Sequence, residues 1–134
     1  MIDKDTNAFN AYMEAMKLPK KTEEEIAKRD AAMMEGLKTA IMVPFEGMET
    51  AAKAWEFMIE MAKIGNIASK SDLQVGAKCL ETGIWGCYQN VLINLASIKD
   101  EAYVKEMKEK SEAIVLKSQE SLKQVLEILD SRSN

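Results

Sequence analysis

The chain has 134 residues, with 18 Lys and Arg against 22 Asp and Glu, two Cys and no His. That length fits one domain, and the net charge of −4, with both signs interspersed, gives no field to draw in a phosphate backbone or an anionic membrane surface. Without His there is no Ser-His-Asp or Cys-His nucleophile, no HExxH zinc site and no imidazole base, so any chemistry runs on carboxylates, Lys, amides and hydroxyls.

The composition favours Ala, Met, Leu, Lys and Glu, has only two Pro, and nowhere alternates with period two for long enough to suggest a sheet. An all-α chain is expected. Its first helix runs from about Asp3 to Lys17, with Phe9, Tyr12, Met13 and Met16 on one face, and ends at Leu18-Pro19 because Pro disfavours helical geometry before it. After the basic loop Lys20-Lys21-Thr22, the spacing of Thr22 and Glu25 is that of a capping box. It opens a helix carrying Ile26, Met33, Leu37 and Ile41 to about Met42. Val43-Pro44 should break or kink that run and start another helix, in which Met48, Ala51, Ala52, Trp55, Met58, Ile59 and Ala62 recur at three-and-four spacing before Gly65-Asn66.

Ser69 or Ser71 is expected to cap the next helix, Asp72 to about Ser97. One side of it is small and polar (Gly76, Gly83, Asn90, with Cys79, Gly86, Cys87 and Asn94), and the other apolar (Leu80, Ile84, Tyr88, Val91, Leu95). Eight residues of helical rise separate Cys79 from Cys87 by roughly 12 Å, beyond disulfide reach, which reads as two reduced thiols in a cytosolic protein. The last helix, about Asp100 to Asp130, turns Tyr103, Met107, Ile114, Val125 and Leu129 inward, and Ser131 to Asn134 should fray. No signal peptide or membrane-spanning window is visible. Four to five helices with short connections imply an antiparallel helical bundle, and the length of two of them points to oligomerisation.

Three polar clusters are candidates for chemistry, each with a plain structural reading. Asp3-Lys4-Asp5-Thr6-Asn7 reads as helix capping from spacing alone. Gly65-Asn66 with Ser69, Ser71 and Asp72 can offer backbone N–H groups to an anion, or be a C-cap followed by an N-cap. Asn90 and Asn94, four apart on the glycine stripe, suit close approach of a flat ligand or of another helix. The ten Met are spread over separate faces and read as core filler rather than a soft metal site.

Several segments are specific as words: Ile2-Asp3-Lys4-Asp5-Thr6-Asn7-Ala8-Phe9-Asn10, Leu18-Pro19-Lys20, Ala40 to Pro44, Ser71-Asp72-Leu73-Gln74-Val75-Gly76-Ala77-Lys78 and Tyr88-Gln89-Asn90-Val91-Leu92-Ile93-Asn94-Leu95. In this order they closely resemble the cyclodeaminase half of formimidoyltransferase-cyclodeaminase and, more distantly, bacterial methenyltetrahydrofolate cyclohydrolases. The resemblance spans nearly the whole chain as one domain, residues 1–134, and implies an all-helical, paired unit. The implied reaction closes 5-formimidoyltetrahydrofolate to 5,10-methenyltetrahydrofolate and releases ammonia in histidine breakdown.

Carried over residue by residue, the second Asp of the family's D-x-D-T motif, its acid/base, falls on Asp5. Asn7, Asp72, Asn90 and Asn94 lie in the matched motifs as expected folate-facing groups. Lys70 and Lys78 are weaker candidates for the glutamate tail of a polyglutamylated substrate. No metal or nucleotide cofactor is implied, tetrahydrofolate entering only as the carrier of the substrate. Vertebrate members are octameric and Golgi-associated, so a homo-oligomer built on dimers is expected in a cytoplasmic protein, with Golgi association by family. The family's upstream helices and their Gly-rich loop have no counterpart here, so the chain is expected to be an N-terminally shortened cyclodeaminase domain. The other readings are an inactive fragment serving as an assembly module, and a cyclohydrolase relative.

Overall fold

The computed structural model describes residues 2–132, apart from the side chains of Ile2 and Asp5. The architecture is all-α: α1 (Ile2–Met16), α2 (Glu23–Ala52), α3 (Ala54–Ile64), a single 3-10 turn (Ile67–Ser69), α4 (Lys70–Leu95) and α5 (Glu101–Ser131). No helix among the described residues is long and apolar enough to cross a membrane.

The expected capping box opens α2. Thr22 Oγ1 accepts from the Glu25 N–H at 3.2 Å, while Glu25 Oε2 accepts from the N–H groups of Thr22 and Lys21. The expected break at Val43-Pro44 does not occur, since Pro44 lies inside α2. A proline removes one backbone bond, here to the Ala40 carbonyl four residues earlier, and that carbonyl accepts instead from Asn94 Nδ2 of α4 at 3.2 Å. The helix lapses only at Lys53, whose own backbone is still helical (φ −63°, ψ −23°), so α2 and α3 form a nearly continuous rod. Its far end stops at Gly65, where a Cβ would stand 2.5 Å from the Met61 carbonyl oxygen. Only glycine fits there.

The starts and faces of the other helices differ in detail from expectation. The helix α4 begins at Lys70 with Ser69 at its N-cap position, but Ser69 makes no side-chain capping bond, and Ser71 lies inside the helix. Asp100 does cap α5, accepting from the Tyr103 N–H at 3.1 Å. On α1 the buried residues are Ala8 and Ala15, whereas Phe9 and Met16 face outward. Small residues win that face because Gly36 of α2 approaches the α1 backbone closely, a Cβ there lying 3.0 Å from Tyr12 Cα. Of the expected frayed tail, Ser131 ends α5, Arg132 is hydrogen-bonded, and residues 133–134 lie outside the described residues.

Side-chain contacts fix the directions. The Asn94–Ala40 bond at one end and Met58 beside Gly76 at the other set α4 antiparallel to the α2–α3 rod. Tyr88 donating to Glu112 and Gln74 to Asp130 set α5 antiparallel to α4. Met16 beside Arg29 and Lys4 beside Glu46 set α1 antiparallel to α2. The core rows repeat every seven residues: Ile41, Met48, Trp55 and Ala62 along the rod, Ala77, Ile84 and Val91 on α4, and Ser111, Ser118 and Val125 on α5. Such a repeat keeps one seam of each helix inward when helices cross at a shallow left-handed angle. Two of the buried serines are hydrogen-bonded, Ser111 Oγ donating to the Met107 carbonyl and Ser118 Oγ accepting from Trp55 Nε1 at 3.1 Å. Cys79 is exposed and Cys87 half-buried on α4, and both are free.

Candidate functional site

The close approach of Gly36 to the α1 backbone at Tyr12 brings α1 against α2 but leaves an open seam beside their contact. One part of it, about 370 Å³, is lined by Lys4, Asn7, Ala8 and Ala11 of α1 and by Thr39, Met42, Val43 and Glu46 of α2. A second part of 470 Å³ shares Ala11 and Thr39 and continues towards Leu18 and Ala32. The walls are mostly apolar with a few polar groups, the chemistry that suits a flat ring carrying amide-like edges. Across the mouth Lys4 Nζ stands 3.6 Å from a Glu46 carboxylate oxygen, with both side chains more than half exposed. That pair contributes little to stability and leaves both charges available to a ligand. Thr39 spends its hydroxyl on the Glu35 carbonyl at 3.0 Å.

The sequence-derived residues divide between two regions. Asp5 is on α1, but its side chain lies outside the described residues, while Asn7 lines the groove. Asn94 is half-buried behind the opposite wall of α2, its Nδ2 donating to the carbonyls of Ala40 (3.2 Å) and Asn90 (3.1 Å). Asn90 is exposed one turn away and donates to the Gly86 carbonyl at 3.0 Å. Asp72 is exposed in the first turn of α4, and the 22 residues of helix between it and Asn94 correspond to about 33 Å. Within one chain it does not join the groove. Of the two lysines, Lys70 pairs with Asp130 of α5 at 3.2 Å, and Lys78 is exposed. Thr39 and Glu46 were not legible as site residues, and Lys4 and Met42 entered only as members of the quoted segments. Only the antiparallel docking of α1 on α2 assembles them.

Fold and groove together define an all-helical bundle with a ligand-sized seam between its first two helices. Residues 1–113 match the family model described as formiminotransferase-cyclodeaminase. The formimidoyltransferase-cyclodeaminase of Sus scrofa is 43% identical over 132 residues, covering 98% of this chain and 24% of that protein. A methenyltetrahydrofolate cyclohydrolase of Methylorubrum extorquens is 31% identical over 134 residues, 100% of this chain and 64% of the relative. The solved formiminotetrahydrofolate cyclodeaminase of Thermotoga maritima superposes with a TM-score of 0.78 at 28% identity, covering 95% of this chain and 59% of the other. The chain thus spans about a quarter of the length of the bifunctional relative. It belongs to the formiminotransferase-cyclodeaminase family, a family of enzymes, and corresponds to part of its cyclodeaminase domain.

Proposed function

We propose that the α1–α2 groove is the folate site of a cyclodeaminase acting in histidine degradation, which converts 5-formimidoyltetrahydrofolate to 5,10-methenyltetrahydrofolate and ammonia. The observation that carries this reading is the placement of Asn7, from the motif that also holds Asp5, in the wall of a mostly apolar groove. In the reaction N10 attacks the formimidoyl carbon and loses its proton to a base. The formimidoyl nitrogen is then protonated and departs as ammonia, leaving the carbon bridged between N5 and N10. One carboxylate serves both steps in turn, and we assign that role to Asp5. Asn7, Asp72 and Asn90 are assigned to folate, the last keeping one N–H and its carbonyl oxygen free of the bond to Gly86.

Asp72 can meet the groove only if a second copy supplies it, so the same reading calls for a homo-oligomer built on dimers. The exposed Phe57, Met61 and Ile64 of α3 and Val75 and Ile93 of α4 supply apolar surface for such an assembly. A cytoplasmic protein with family-type Golgi association accords with this reading.

The test is the near-ultraviolet growth of methenyltetrahydrofolate after 5-formimidoyltetrahydrofolate is added, with Asp5→Asn and a protein-free control alongside. Signal above the control in the parent and none in Asp5→Asn is expected. A parent trace equal to the control would leave the other reading, an assembly module without activity, which the separation of Asp72 from Asn7 favours. Supplying methenyltetrahydrofolate and following its loss tests the cyclohydrolase reading that the Methylorubrum extorquens relative suggests.

A further inference from the structure

We propose that Asn94 is a positioning residue for the α1–α2 groove, supplying from α4 the hydrogen bond that Pro44 denies to α2. This role deepens the folate-site reading above and rests on it. In an unbroken helix the Ala40 carbonyl would accept from the N–H of residue 44, and proline has none. Asn94 Nδ2 stands 3.2 Å from that carbonyl and 3.1 Å from the carbonyl of Asn90. Both amide protons are therefore committed to backbone, leaving none for a ligand.

The groove wall hangs on the same stretch of backbone. Thr39 and Val43, which line the groove, are the residues immediately before Ala40 and Pro44, and Met42 and Glu46 complete that wall. Val43, Pro44, Phe45 and Gly47 are all buried, so this stretch of α2 is held on the core side while the Ala40 carbonyl is held by α4. Removing the amide would orphan the Ala40 carbonyl at the half-buried α2–α4 seam and loosen one wall of the groove while α1 stays in place.

The decisive variant is Asn94→Leu, which keeps close to the same volume and removes the donor without adding a charge, with Asn94→Ser in reserve if it does not fold. The second change, Pro44→Ala, restores a backbone N–H for Ala40. Hydrogen exchange is followed over residues 39–48, with residues 122–129 of α5 as the internal reference, and affinity is measured calorimetrically for 5-formyltetrahydrofolate, a stable reduced folate. Asn94→Leu is expected to raise exchange over 39–48 about tenfold relative to α5 and to weaken folate binding about tenfold. In the Pro44→Ala background the same change is expected to alter either reading by no more than about twofold.

A double variant as impaired as Asn94→Leu alone would overturn the proposal, since a direct contact with ligand is not rescued from Pro44. Faster exchange with unchanged affinity would overturn it too, by making the bond structural only. If the parent chain does not bind the folate, the reading of the groove falls by itself. The exchange arm then still decides whether Asn94 holds the wall through Ala40.

Discussion

Tyr103 places its hydroxyl where water does not reach and no partner among the described residues meets it. Its ring is well used, with Lys38 Nζ 4.8 Å from the centroid, so the oxygen alone is the cost. Tyr103→Phe is therefore expected to leave stability unchanged or raise it by about 1 kcal/mol in urea unfolding. Burial, then the carboxylates of Glu106 and Glu35, push its phenol above the ordinary range, with Lys110 acting in the opposite sense. Burial followed by Glu112 pushes Tyr88 the same way. Folded phenols that hold their protons more tightly than unfolded ones contribute stability that is complete below the unfolded pKa of about 10 and is lost as pH rises through the folded values. The parent should lose stability above pH ~10 more steeply than Tyr88→Phe/Tyr103→Phe, as read from urea midpoints across that range.

At the scale of the element, two glycines on facing helices should answer the same substitution oppositely. At Gly83 of α4 a Cβ would meet nothing within 4 Å, so Gly83→Ala should stabilise by about 1 kcal/mol through helix propensity alone. At Gly36 it would press on Tyr12 backbone atoms at 3.0 Å and 3.2 Å. Gly36→Ala should therefore be less stable than Gly83→Ala by roughly 1–3 kcal/mol, a difference that thermal melts of the two variants resolve.

The helices differ in how much of each was legible in the sequence. The Thr22–Glu25 capping box, the glycine stop at Gly65 and the apolar side of α4 follow from local rules and appear in the structure. The passage of α2 through Pro44 was not legible, because the compensating donor sits 54 residues away. Ser111, Ser118 and Ser121 look solvent-facing by residue type, and are buried because small side chains let α5 close on Trp55 and its neighbours. On α1 the larger Phe9 and Met16 drew the eye from Ala8 and Ala15 for the same reason. The site was legible as motif words, whereas its geometry depends on how α1 docks.

At the scale of the whole molecule, one side chain ties the C-termini of two helices together at one end of the bundle. Arg132, just past α5, donates from Nη1 to the Ala62 carbonyl at 2.7 Å and from Nη2 to the Gly65 carbonyl at 2.6 Å, so it closes the C-terminus of α3 from about 70 residues further along the chain. These are charge-assisted bonds at the negative end of a helix, and Arg132→Ala should cost about 1–3 kcal/mol in thermal unfolding. Arg132→Lys should recover only part of it, because a single ammonium cannot span two carbonyls as a planar fork does.

The two thiols of α4 make a chemical clock of that helix. Cys79 stands open beside the glycine stripe, whereas Cys87 is half-buried, and its burial pushes the thiol above its usual range. At mildly alkaline pH an alkylating reagent should consume Cys79 first and Cys87 later, the second step timing how often α4 lifts from the bundle. Repeated at rising protein concentration, the first step reports on the outer face instead: its rate stays constant while that face is bare, and falls once another molecule lies across it.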